Sequence, residues 1–352
     1  MTPIVIACGS GGVGKTTTAA ALALSFAAHG KRVAVLTIDP ALRLADSLGI
    51  GAIGNAPVRV PGTTLDAIML DTKDTFDGVI RRFAPTIEVR ERILRNRYYR
   101  FVSTRLAGVH EYMAMEKLLE LAQSGNWDVV VLDTPPTRHA LDFLAAPDRM
   151  AGLMDEGVMR WLVLPASHGG WRMIEMGSEM LARVLKRLLG ERTISEIAEF
   201  FTSFQGLWSG FRERSLAVKA VLTAPTTRFV LVTTPAPGAR AEAIAFLAVL
   251  RSSGMPFGGF IVNRCARDVP DEPPAFLGTD TNAATLLAAL AALLERRRVE
   301  VATQSAAIAD LQAHAPANSP VWRVPDFEDD VHDLRSLTAL SAHLPQIADV
   351  FS

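Results

Sequence analysis

Ile4-Val5-Ile6-Ala7-Cys8-Gly9-Ser10-Gly11-Gly12-Val13-Gly14-Lys15-Thr16-Thr17 is the stretch on which the reading of this chain turns. An apolar, β-branched run enters a glycine loop, and helix-forming composition follows over residues 16–29, with Gly30 where a helix C-terminal cap belongs. Gly9 to Thr16 keeps the spacing Gly-x4-Gly-Lys-[Ser/Thr], whose glycines let successive backbone N–H groups turn inward as a nest for phosphate oxygens. The helix N-terminus adds positive potential at the same place. Gly11, Gly12, Val13, Gly14, Lys15, Thr16 and Thr17 are thereby assigned to a nucleotide's phosphates. Lys15 would reach the β- and γ-phosphates as a catalytic cation, and the Thr16 hydroxyl would ligate Mg²⁺. A glycine turn that merely starts a helix is the plainer alternative, and the strand before and helix after speak against it.

Working outward, residues 33–38 form a second apolar run that ends in Asp39-Pro40. Strand, glycine loop, helix and strand make the first half of a parallel nucleotide-binding sheet. Short apolar runs at residues 65–70, 127–132, 228–233, 258–262 and 321–324 predict further strands of a sheet covered on both faces. Two stretches, 72–124 and 149–222, read as helical throughout; within the second, residues 171–189 repeat apolar side chains at spacings of three and four. The predicted fold is α/β: a mostly parallel P-loop NTPase sheet with helices on both faces and an inserted α-helical subdomain. Its ATPase domain comprises residues 1–71, 125–148 and 223–352, and the insertion comprises 72–124 and 149–222. Residues 268–280, with three prolines, read as a loop.

Composition sets the outer limits. The chain has 352 residues and a formal charge of −1, with 49% hydrophobic and 21% charged residues, which excludes disordered, collagen-like and disulfide-scaffold classes. No dense basic tract supports nucleic acid as a partner. Cys8 and Cys265 are the only cysteines, too few for a four-thiolate metal site, and a reducing cytoplasmic setting is expected. The apolar run at 283–294 is about twelve residues long and ends at Glu295-Arg296-Arg297-Arg298, too short for a membrane span.

Gly-Gly-Val-Gly-Lys-Thr-Thr at 11–17 resembles the deviant-Walker group of P-loop ATPases, which includes partitioning proteins, nitrogenase iron protein, and the ATPases of arsenite pumps and tail-anchored protein targeting. Thr37-Ile38-Asp39-Pro40-Ala41 is similar to switch I of the arsenite-pump and targeting branch, and Asp133-Thr134-Pro135-Pro136-Thr137-Arg138-His139 to its switch II. Gly108-Val109-His110-Glu111 resembles a Gly-x-x-Glu segment of that branch, and Val262-Asn263-Arg264 and Val324-Pro325-Asp326 its adenine-side pieces. The resemblance implies an ATPase in which Asp39 orients or deprotonates the attacking water and Asp133 serves Mg²⁺ through a water. It implies adenine contacts from Asn263, Pro325 and Asp326. Turn or capping roles remain the plainer alternatives for Asp39, Asp133 and Asn263.

The resemblance also implies a dimer, and here the chain departs from the family. Ser10 stands where the family usually carries a lysine that crosses to the partner's nucleotide. Hydrolysis is then slow, or another cation such as Arg138 compensates, or a related ATPase that keeps the lysine completes a heterodimer. Met150, Met154, Met159, Met173, Met176 and Met180 cluster in the second helical stretch, and flexible thioethers suit a groove for hydrophobic protein segments. An ordinary helical core explains them equally. Homodimer and heterodimer both stay open, as do a weakly hydrolysing chaperone or regulatory subunit and a partitioning-type ATPase. After Arg335 there is no Lys or Arg, which argues against a basic membrane-binding helix and stable membrane insertion.

Overall fold

The computed structural model describes residues 1–39, 41–105, 108–135, 207–269, 281–327 and 329–351. Within them lies a sheet of eight strands: β1 Ile4–Gly9, β2 Val33–Thr37, β3 Val58–Arg59, β4 Leu65–Met69, β5 Val129–Asp133, β6 Thr227–Thr233, β7 Phe257–Cys265 and β8 Val321–Pro325. Their order is β3-β4-β2-β5-β1-β6-β7-β8, parallel throughout except for the β3–β4 pair. All seven predicted strands are present. The two-residue β3 carries no apolar run to announce it; Arg59 lies opposite Asp66 in register, with Nε 2.6 Å from Oδ1.

The continuous apolar runs are explained by two cores, one on each sheet face. Side chains alternate along a strand, so Ile4, Ile6 and Cys8 enter one core while Val5 and Ala7 enter the other. The same alternation sorts Val130 and Leu132 from Val129 and Val131, and Phe229 and Leu231 from Val230 and Val232. Helix α1 (Lys15–Ala28) is rich in alanine, the best helix former, and is buried along most of its length in the second core. Gly30, at φ 76°, follows its C-terminal end.

Residues 72–124 form four helices: α2 (Arg43–Leu48) precedes them, then α3 (Thr72–Phe83), α4 (Ile87–Arg95), α5 (Arg97–Arg105) and α6 (Val109–Gln123). With α7 (Trp208–Leu222) they build a third cluster around Phe76, Ile80, Tyr99, Tyr112 and Phe211. Helix α6 belongs to two cores: Val109, Tyr112 and Met113 join the helical cluster, while Met115, Leu118 and Leu119 lie on the sheet. The chain continues through α8 (Pro237–Ser252), α9 (Thr281–His314), α10 (Leu334–Ser341) and α11 (Ile347–Phe351). The apolar run at 283–294 is only the first part of α9, a helix of 34 residues. No Gly or Pro interrupts 281–314, so the helix passes straight through the charged residues. No helix among the described residues is long and apolar enough to cross a membrane. The predicted helix at 171–189 and nearly all of the predicted loop at 268–280 lie outside the described residues.

Candidate functional site

The parallel strands bring their C-terminal ends to one edge, where the segments after β1, β2, β5 and β8 meet the last residues of β7. Gly12 and Gly14 adopt left-handed backbone, at φ 78° and 87°, and Gly14 is the N-cap of α1. A side chain at Gly14 would come within 3.0 Å of the Asn263 amide. Val13 turns its side chain into the core. Lys15 is buried, and its Nζ donates to the Ser10 carbonyl at 2.8 Å. Burial depresses its pKa, against the opposing pull of Asp133 and Asp39.

Thr16, Thr37 and Asp133 converge although they lie far apart in sequence. The Thr16 hydroxyl donates to Asp133 Oδ2 at 2.7 Å, and the Thr37 hydroxyl donates to the same oxygen at 3.0 Å. The other oxygen, Oδ1, is buried with no partner among the described residues. Burial pushes the Asp133 carboxyl up to about 6 despite both hydroxyls and Lys15. Thr37 also accepts from the Asp39 N–H at 3.3 Å, so one hydroxyl ties the end of β2 to the end of β5. Asp39 itself is half-buried: Oδ1 accepts from the Ala41 N–H at 3.0 Å and Oδ2 lies 3.5 Å from the Arg43 guanidinium.

Of these groups, Lys15, Thr16 and Asp39 line a cavity of about 560 Å³, together with Gly11 and Gly12. A second cavity of about 210 Å³ joins it along Gly14, Thr17 and Arg264, and is walled by Asn263, Pro325 and Asp326. Asn263 donates its amide N–H groups to the Val13 carbonyl and the Thr18 hydroxyl, both at 2.8 Å, while Oδ1 is buried without a partner among the described residues. The Asp326 N–H donates to the Cys265 carbonyl at 2.9 Å, which fixes the wall after β8.

The family model described as anion-transporting ATPase matches residues 2–283. The chain belongs to the anion-transporting ATPase family. Among curated relatives, it is 34% identical to an ATPase ASNA1 homolog of Entamoeba dispar over 42% of this chain and 47% of that protein. It is 33% identical to a putative arsenical pump-driving ATPase of Halobacterium salinarum over 46% of this chain and 26% of that one. It is also 34% identical to the ATPase GET3 of Malassezia globosa over 40% of each. The matches cover between 26% and 47% of the length of these curated relatives.

The residues of this family member suit a triphosphate with Mg²⁺. Two hydroxyls and a carboxylate give the hard oxygen donors that Mg²⁺ takes, and the orphaned Asp133 Oδ1 is ready to accept from a metal-bound water. The orphaned Asn263 Oδ1 suits an exocyclic amine of a base. Thr37, Arg43, Ser47 and Arg264 join the site without having been assigned a role from sequence. Gly108, at φ 89°, starts α6 and sets His110 and Glu111 in the cavity wall, so the Gly-x-x-Glu segment was the available signal for these two. Arg138 and Met150, Met154, Met159, Met173, Met176 and Met180 lie outside the described residues.

Proposed function

We propose that this chain is an Mg²⁺-dependent ATP hydrolase whose nucleotide state switches a dimer, and with it an apolar surface for hydrophobic protein segments. The observation that carries the reading is the junction of Thr16, Thr37 and Asp133: one carboxylate bonded to the phosphate loop and to the end of β2, with a free buried oxygen, in a member of an ATPase family. Mg²⁺ held at Thr16, and at Asp133 through water, would offset charge on the phosphate oxygens. The loop N–H groups and Lys15 bind the phosphates, which requires Lys15 to leave the Ser10 carbonyl. Asp39 orients or deprotonates water once it is freed from Arg43. Asn263, Pro325 and Asp326 hold the base. Because Thr37 links both switch segments to one carboxylate, a change at the γ-phosphate reaches β2 and β5 together. The six methionines of residues 150–180 form the client groove in this reading. An arsenical pump role is less favoured, since Cys8 and Cys265 are both buried single thiols.

A second reading, an ATP-binding subunit that scarcely hydrolyses, is favoured by the neutral, buried Ser10 and by the two partners that engage Asp39. ATP turnover by the purified chain and by Asp39→Asn, with its mass in ATP plus Mg²⁺, separates them. A fall of about a hundredfold or more in Asp39→Asn supports hydrolysis. Turnover near background in both supports the second reading, and a monomer in ATP removes the homodimer and sends the search to a lysine-bearing partner chain. Crosslinking a hydrophobic helical peptide to residues 150–180 tests the groove: a yield indifferent to ATP leaves the methionines as core.

A further inference from the structure

Strand β7 pairs with β8 as far as Val262, and pairing resumes only at Cys265 with Pro325, so Asn263 and Arg264 form an irregularity at the strand end. Such bulges re-aim side chains beside functional sites. Arg264 has φ 57°; among the described residues the other non-glycine with positive φ is Asn318, a residue type far more at home there. An arginine in left-handed backbone is a conformational cost that this position retains. The bulge sends Asn263 inward, where it is buried against Val13 and Thr18, and leaves Arg264 exposed on the wall shared by the two cavities. Its side chain makes no hydrogen bond or ion pair among the described residues. Among the described residues, the other Lys and Arg side chains lining the larger cavity are engaged, Lys15 with the Ser10 carbonyl at 2.8 Å and Arg43 with Asp39 at 3.5 Å.

We propose that Arg264 binds the phosphate chain of the nucleotide between the base pocket and the phosphate loop, bringing to the site a positive charge that Ser10 does not. A guanidinium matches phosphate oxygens in a planar, two-point fashion, and the backbone bulge positions it at the junction where a nucleotide lying across both cavities would turn. The inference rests on the nucleotide-binding reading above.

Equilibrium binding of ATP and of adenosine by the full chain tests it, in wild type, Arg264→Gly, Arg264→Asn and Arg264→Lys, with Lys15→Ala as control. Arg264→Gly and Arg264→Asn are expected to weaken ATP about tenfold or more, to leave adenosine unchanged and to flatten the salt dependence of ATP binding. Arg264→Lys should retain part of the ATP affinity. Since Gly and Asn accept left-handed backbone, the free variants should melt at or above the wild-type temperature, so weakened binding is not a folding defect. ATP affinity within twofold of wild type in both variants overturns the proposal, as does an equal loss for ATP and adenosine. If wild type binds no ATP and Lys15→Ala changes nothing, the nucleotide reading falls and this proposal with it.

Discussion

At Gly9 a Cβ would stand 2.1 Å from the Val232 carbonyl oxygen on the adjacent strand β6, so the neighbouring strand demands this glycine before any ligand arrives. Gly11, two residues on, has nothing within 4 Å of the same position and is absent from the positive-φ residues. Gly9→Ala should therefore cost the fold about 3 kcal/mol or more, seen as lost soluble yield or a sharply lowered melting temperature. Gly11→Ala should melt within about 1 kcal/mol of wild type and still weaken ATP binding, because its methyl group enters the cavity. Asp133 shows the opposite conflict. Its folded carboxyl is pushed up to about 6 from 3.8, so it favours the fold only while protonated, and that contribution is lost as pH rises through about 6. In nucleotide-free protein, Asp133→Asn should be more stable than wild type by up to about 3 kcal/mol at pH 7.5, with the gap closing by pH 4. Melting curves across that range check it; with ATP and Mg²⁺ the order should reverse under the proposed function, in which this carboxylate serves the metal. The turn of the glycine loop was legible because its spacing alone dictates a backbone shape. The Thr37 bridge and the Arg264 bulge were not, because each depends on which strands pair and in what register.

Among the elements, α6 carries the longest connection. Its first turn places His110 and Glu111 in the cavity wall, and the His110 ring shares a 2.7 Å hydrogen bond with the Thr72 hydroxyl at the start of α3. Further along, Glu116 is 1% exposed and pairs with Arg214 of α7, while Tyr112 donates to its other oxygen at 2.7 Å. Arg214→Ala should be destabilising by about 3–5 kcal/mol, because it strands a buried carboxylate. A combined Glu116→Leu, Arg214→Met change should recover most of that loss, and chemical denaturation of the three variants reads the difference. The carboxylate–guanidinium pair could not be foreseen from periodicity, since Glu116 and Arg214 are 98 residues apart. Helix α9 was legible as an apolar run and not as a helix of this length, because charge content says little about where a helix stops while Gly and Pro say much.

On the scale of the molecule, the α/β class and every long strand could be read from short apolar runs, because each strand must feed both cores in alternation. Strand order could not, since β1 takes neighbours from residues 129–133 and 227–233, pairings that no local pattern encodes. The resulting order has a further consequence at its two margins. One outer strand is β3, two residues long, with Arg59 exposed and tied back to Asp66; the other is β8, which ends in Pro325 and leaves Arg323 exposed. Short length, surface charge and a missing N–H are features that discourage strand addition. The sheet is thus blunted at both margins against templated growth, and two copies of this chain that associate would do so through loops and helices rather than by continuing the sheet.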